Sequence, residues 1–199
     1  MTTTADRTWL LPVLRAIPAA VVALAITFSA DHSVLLGYLA LGGFATISGI
    51  VITVTARPAA YPQVLFILQG VLLTIGGVIA FASTKAGLPF LLFLTSALFG
   101  VTGIIELVAG LRARGRLAAA RDWIFVGAAS ALFAVVVLLI PADFSQAITI
   151  PDKVVPNLTA SVILVGALGA YCAIVAVYLV IAGLSLKWAP PASTVSEAS

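Results

Sequence analysis

The chain has 199 residues, 62% of them apolar and only 9% charged, with a mean hydropathy of +1.23 and a formal net charge of +3. An ordinary soluble domain is about 45–50% apolar and about a quarter charged, so ten basic and seven acidic residues cannot cover a water-facing surface. Lipid is the solvent this composition suits, which excludes a soluble enzyme and an ordinary nucleic-acid-binding domain. The pI near 9.4 reflects basic residues that set membrane topology, and no nucleic-acid partner is expected. One cysteine (Cys172) and one histidine (His32) exclude a disulfide framework and a His/Cys metal cluster, and no cofactor is expected.

A membrane span takes about 20 apolar residues. In chain order, apolar stretches cover 10–30, 34–55, 63–82, 89–111, 123–141 and 160–186. The first follows Arg7 and contains Arg15, as in a signal peptide. A cut after Ala30 would leave Phe28 at −3, where a small residue is needed, so an uncleaved helix is the better reading. The breaks between stretches fall at Asp31-His32-Ser33, Arg57-Pro58, Ser83 to Pro89, Arg112 to Asp122 and Pro141 to Asn157. Residues 1–9 read as a cytoplasmic tail, 10–186 as the membrane domain, and 187–199 as a disordered tail rich in Pro, Ser and Thr.

An N-terminus placed inside puts Arg7, Arg15, Arg57, Arg112, Arg114, Arg116, Arg121 and Lys187 on the cytoplasmic side, leaving only Lys85 and Lys153 outside. This bias predicts cytoplasmic termini, and Trp9, Trp123 and Trp188 agree, each falling at an inner span end where indoles favour the interface.

The chain also repeats. Ala16 and Gly49 lie 54 residues before Gly70 and Gly103; Gly70 maps onto Gly127 at 57, and Ala109-Gly110-Leu111 onto Ala182-Gly183-Leu184 at 73. The predicted fold is an all-α integral membrane protein of six transmembrane helices, arranged as three repeated helical hairpins (10–57, 58–114, 121–186) with a pseudo-threefold relation. About 16 extra residues enter before the last span, in an outer segment from Ala142 to Thr159. Small residues four apart are expected to bring helices close: Ala45/Gly49, Ser96/Gly100, Gly127/Ala131 and Gly166/Ala170. Packing within the protomer is the first use of these pairs, and a homo-oligomer face the second.

Glu106 is the one carboxylate inside a predicted span. A charge at mid-bilayer costs about 2.5–3.5 kcal/mol on insertion scales, which makes it a functional candidate, proton- or lipid-linked. Near the inner end of its helix it can also reach the interface, pair with Arg112, Arg57 or Arg15, or contact another subunit. Arg112, Arg114, Arg116 and Arg121 form a basic inner loop, explained by topology or by anionic lipid headgroups. Asp31 and His32 share an outer turn, read as an ordinary exposed turn or as an external pH sensor. In the outer segment, Phe144, Ile148, Ile150, Val154 and Val155 stand among Pro141, Pro151 and Pro156; such residues suit a membrane surface or a partner better than water. Asn157-Leu158-Thr159 is a chance sequon match in a bacterial-looking chain. Cys172 lies in an apolar run and is expected to pack as a small hydrophobe. The sequence holds no phosphate-cradling loop, His/Glu metal helix or nucleophile–base pair, and too few charges in its spans for a proton pump or ion-coupled transporter.

Gly103-Ile104-Ile105-Glu106-Leu107-Val108, followed by Arg112, Arg114, Trp123, Gly127, Phe133 and Pro141, resembles the HdeD-like membrane proteins, built from short repeated hairpins and named for a member linked to acid resistance. The resemblance covers nearly all of 10–186. It implies a six-span protein of the bacterial inner membrane without established catalytic chemistry. Ala176, where the first two copies have glycine, and the long outer segment depart from that pattern. The expectation is a non-enzymatic protein of envelope or acid-stress physiology, with membrane lipids as partners. The competing readings are an accessory subunit of a larger membrane complex, such as a respiratory supercomplex, and a small-solute channel or carrier along the threefold axis.

Overall fold

The computed structural model describes residues 9–56, 63–146, 149–150, 153–154 and 157–188. The two chain tails, Arg57-Pro58, Ile148, Pro151, Val155 and Pro156 lie outside the described residues. Within them are six α-helices: α1 (Leu10–Thr27), α2 (Val34–Thr55), α3 (Gln63–Ala82), α4 (Gly87–Ala113), α5 (Ala120–Leu138) and α6 (Ala160–Trp188). All six are long and apolar enough to cross a membrane, so the chain is all-α in its main elements and compatible with a multi-pass membrane protein.

The bounds of α2 and α3 coincide with those read from the sequence, and the other helices differ by local chemistry. The last turn of α1 closes early, the amide of Phe28 bonding to the Leu24 carbonyl and that of Ser29 to Ile26. Helix α4 begins two residues early because Gly87 takes φ +83, a conformation that costs a glycine little. Pro89 then falls in the first turn, where no intrahelical N–H is needed. Helix α5 begins three residues before the expected stretch and ends three before its close.

Neighbouring helices run antiparallel in a ring whose most extensive contacts are α2 with α3, α4 with α5, and α1 with α6. Chain-adjacent α1/α2, α3/α4 and α5/α6 touch less, while α2, α4 and α6 also touch one another across the middle. The tight seams are made by glycine. A Cβ on Gly49 would sit 2.5 Å from the Gly70 carbonyl oxygen, and one on Gly70 2.7 Å from that of Gly49. Gly103 and Gly127 face each other in the same way between α4 and α5, and Gly183 lies against Trp9 and Val13 between α6 and α1. Such close approach replaces the hydrophobic drive that lipid cannot supply. Thr53 and Thr74, on opposite sides of the α2/α3 seam, return their hydroxyls to the Gly49 and Gly70 carbonyls at 2.8 Å. The small pairs at Ala45/Gly49, Ser96/Gly100 and Gly127/Ala131 reach these seams, Ser96 donating to the Ala134 carbonyl at 3.1 Å. Gly166/Ala170 does not: a Cβ at Gly166 meets nothing within 4 Å, and Gly169, packed on Ile26, takes the buried position instead.

The starts of α1, α3 and α5 and the ends of α2, α4 and α6 share one end of the ring, called proximal below. Lys187 stands 4.8 Å over the Trp9 ring and Phe66 packs edge-on to Trp123 at 4.7 Å, tying that end together. At the distal end the outer segment pairs as short two-residue strands, which the sequence reading did not foresee. Strand β1 (Ser145–Gln146) pairs antiparallel with β4 (Leu158–Thr159), and β2 (Thr149–Ile150) with β3 (Lys153–Val154) nested between them.

Candidate functional site

Helix α4 carries Glu106 two turns from its proximal end, and the side chain is enclosed, 2% exposed. Arg15 of α1 makes a salt bridge to its Oε1, and Gln69 of α3 donates from Nε2 to its Oε2 at 2.7 Å. Three helices are thus fastened by one carboxylate, each oxygen holding a separate donor. Of the three arginines weighed for Glu106, Arg15 is the partner. Arg112, six residues on, lies about 240° round the helix and is exposed, so it cannot turn inward to the same carboxylate. Arg57 lies outside the described residues.

Around this clasp is a chamber of about 40 Å³ of mixed character, its polar side formed by Ser48, Gln69, Thr102, Glu106, Ser130 and Tyr171. That volume holds roughly three water-sized molecules. Ser130 donates to the Val126 carbonyl at 2.8 Å, which leaves the Tyr171 hydroxyl as the donor in their 2.7 Å contact. Gln69 Oε1 and Ser48 Oγ are buried without a protein partner. The rings of Phe44, Phe99 and Tyr171 form the apolar side of the same chamber: Phe99, Phe133 and Tyr171 pack with ring centroids 4.8–4.9 Å apart, and Phe44 stacks on Phe99 at 5.7 Å. These rings fill the middle of the bundle.

On the proximal side Arg15 also borders a second, larger cavity of about 430 Å³. Every helix but α4 contributes, together with the turn after α4, so this vestibule sits on the axis of the ring. Its wall is mostly apolar, including Ile52, Phe66 and Trp123, with Asp122 as a second charge. Asp122 accepts from the Tyr178 hydroxyl at 3.0 Å, and Tyr178 is stacked on Phe125 at 3.9 Å. The vestibule is therefore blind: its floor is Arg15, behind which lie Glu106, the chamber and the aromatic plug.

The other sequence candidates separate from this centre. Asp31 builds the turn before α2, its two oxygens accepting from the Ser33 amide at 2.9 Å and the Ser33 hydroxyl at 2.8 Å, while Ser33 Oγ caps the Leu36 amide at 3.3 Å. His32 beside it is half-buried. Arg112, Arg114, Arg116 and Arg121 are all exposed at the proximal end. Phe144 is half-buried, and its carbonyl accepts from the Ala160 amide at 3.0 Å, joining the outer segment to α6. Ile150 sits in β2. Sequence reasoning passed over Gln69, Ser48, Thr102, Ser130 and Tyr171. A signal for two of them was present, since Gln69 stands 54 residues after Arg15 and Thr102 54 after Ser48, the same offset at which Gly70 and Gly103 follow Ala16 and Gly49.

Comparison with known proteins finds no match: no family model, no curated protein and no solved structure.

Proposed function

We propose that this chain is a non-enzymatic, multi-pass protein of the bacterial cytoplasmic membrane, of HdeD-like type, serving envelope or acid-stress physiology. The observation that carries this reading is the clasp of Arg15, Gln69 and Glu106. It ties three helices together inside an apolar bundle, and the vestibule leads to it from the proximal end. Loss of the Glu106 charge, as in Glu106→Gln, removes what holds Arg15 and loosens the tie between α1, α3 and α4. The excess of basic residues assigns the proximal end, and with it both termini, to the cytoplasm.

The three-copy organisation belongs to the same proposal. Arg15, Gln69 and Val126 occupy equivalent places at offsets of 54 and 57, so two of three equivalent side chains grip the carboxylate. Gly49 and Gly103 are likewise equivalent, and each meets the equivalent glycine of the following helix, Gly70 or Gly127. The test is acid survival of cells carrying Glu106→Gln at matched expression. Reduced survival supports the reading, whereas survival equal to the parent overturns it.

The vestibule favours a second reading, a carrier for a small solute. The aromatic plug of Phe44, Phe99 and Tyr171 makes a static pore a poor description, so transport would require the rings to move. Solute uptake into proteoliposomes that is abolished by Ile52→Trp, which fills the vestibule, supports a carrier. Uptake no greater than in empty liposomes removes it.

A further inference from the structure

The basic loop after α4 is more than a scatter of charges. Arg114 and Arg116 in the turn, and Arg121 in the first turn of α5, border one open groove of about 990 Å³ on the outside of the ring. Gly115 at φ +79 makes the tight reversal that brings the first two together. Below the arginines the groove is walled by Leu111, Ile124, Phe125 and Ala128. No carboxylate lies within salt-bridging distance of any of the three among the described residues. The apolar wall continues along α4 through exposed Ile104 and Val101. From Leu111 to Val101 is ten residues, about 15 Å of helix, which is half the roughly 30 Å hydrocarbon thickness.

From this juxtaposition we propose that the groove is a binding site for an anionic phospholipid of the proximal leaflet. The phosphate is gripped by Arg114, Arg116 and Arg121, and one acyl chain lies along Leu111 and Ala128. Guanidinium suits the headgroup because its planar fork meets two phosphate oxygens at once. The 15 Å apolar strip matches the depth one chain covers in one leaflet. Arg112 supplies the internal control: it is exposed in the last turn of α4, two residues from Arg114, and equally basic, yet it does not border the groove. Topology or diffuse surface charge treats Arg112 like its neighbours, whereas a built site does not. The proposal is independent of the reading given for Glu106.

The test is native mass spectrometry of the purified full chain, titrated with phosphatidylglycerol or phosphatidylcholine of identical chains. Each basic residue near an anionic surface is worth roughly a fivefold preference, so the wild type should favour phosphatidylglycerol by about a hundredfold. Replacing Arg114, Arg116 and Arg121 together by Gln should abolish that preference, while Arg112→Gln should leave it within twofold. Loss of three loop charges can disturb insertion, so Ala128→Trp provides a second variant. It fills the groove with every charge kept, and should weaken phosphatidylglycerol binding at least fivefold. An effect of Arg112→Gln equal to that of a groove arginine overturns the proposal, as does unchanged binding to Ala128→Trp. Displacement of the lipid by an equal concentration of soluble glycerol phosphate also overturns it, since the site would then recognise phosphate alone.

Discussion

Separating Arg15 from Glu106 should cost this protein more than deleting both. In Arg15→Leu the Glu106 carboxylate, its side chain 2% exposed, keeps only the Gln69 amide, and breaking a buried pair from one side costs about 3–5 kcal/mol. Glu106→Leu is milder. The Arg15 side chain is 14% exposed and borders the vestibule, so its long stem can carry the guanidinium toward Asp122; a loss of about 1–3 kcal/mol is expected. The double variant leaves no unpaired charge. It should fall short of the wild type only by the roughly 1–2 kcal/mol due to the stranded Gln69 donor. Reversible unfolding in mixed micelles, followed by the fluorescence of Trp9, Trp123 and Trp188, gives all four corners of the cycle. The decisive quantity is the coupling energy. If the double variant's loss equals the sum of the single losses, the two side chains act independently and the clasp is not what fastens α1 to α4.

Gly70→Ala should destabilise by about 1–3 kcal/mol, because its Cβ meets the Gly49 carbonyl, while Gly43→Ala, with nothing within 4 Å, should be neutral or gain up to about 1 kcal/mol; micelle unfolding of both reads the difference. Asp31→Ala should cost about 0.5–2 kcal/mol through the lost turn and speed amide exchange at the start of α2, with His32→Asn unchanged in the same measurement. Ser130→Ala should cost more than Tyr171→Phe, about 1–3 against 0.5–1.5 kcal/mol, since only the first leaves a buried hydroxyl without an acceptor; equal losses by thermal denaturation would contradict the donor assignment.

The spans were legible because each follows from a local property, continuous apolarity bounded by charges and turn residues. Helices α2 and α3 match to the residue. The misplaced ends are those set by backbone detail, such as the φ of Gly87 and the closing turn at Phe28. Glu106 stood out for the same local reason, a lone carboxylate in an apolar run. Arg15 was one of three arginines offered as its partner but could not be singled out, and Gln69 was missed, because composition says nothing about which helices become neighbours across 91 residues. Helix geometry alone could have dismissed Arg112, six positions on and facing elsewhere. The repeat offsets could have paired Arg15 with Gln69 and Ser48 with Thr102, a use of periodicity that reading each span singly forgoes. The tight seams were visible as glycines, yet their pairing of α1 with α6 joins the two ends of the chain and has no sequence signature.

That last seam bears on how the molecule is made. Helix α1 leaves the ribosome before the other five described helices, yet finds its most extensive contact in α6. During synthesis Arg15 precedes its counter-ion by 91 residues, roughly 5–18 s at about 5–20 residues per second. Over that interval a bare guanidinium must be sheltered by headgroups or by the insertion machinery. Its position only five residues into α1 allows this, since the side chain can rise to the interface and sink when α4 arrives. The α1/α6 seam can close only once α6 has been made, so α1 waits through the synthesis of the five helices after it for its most extensive contact.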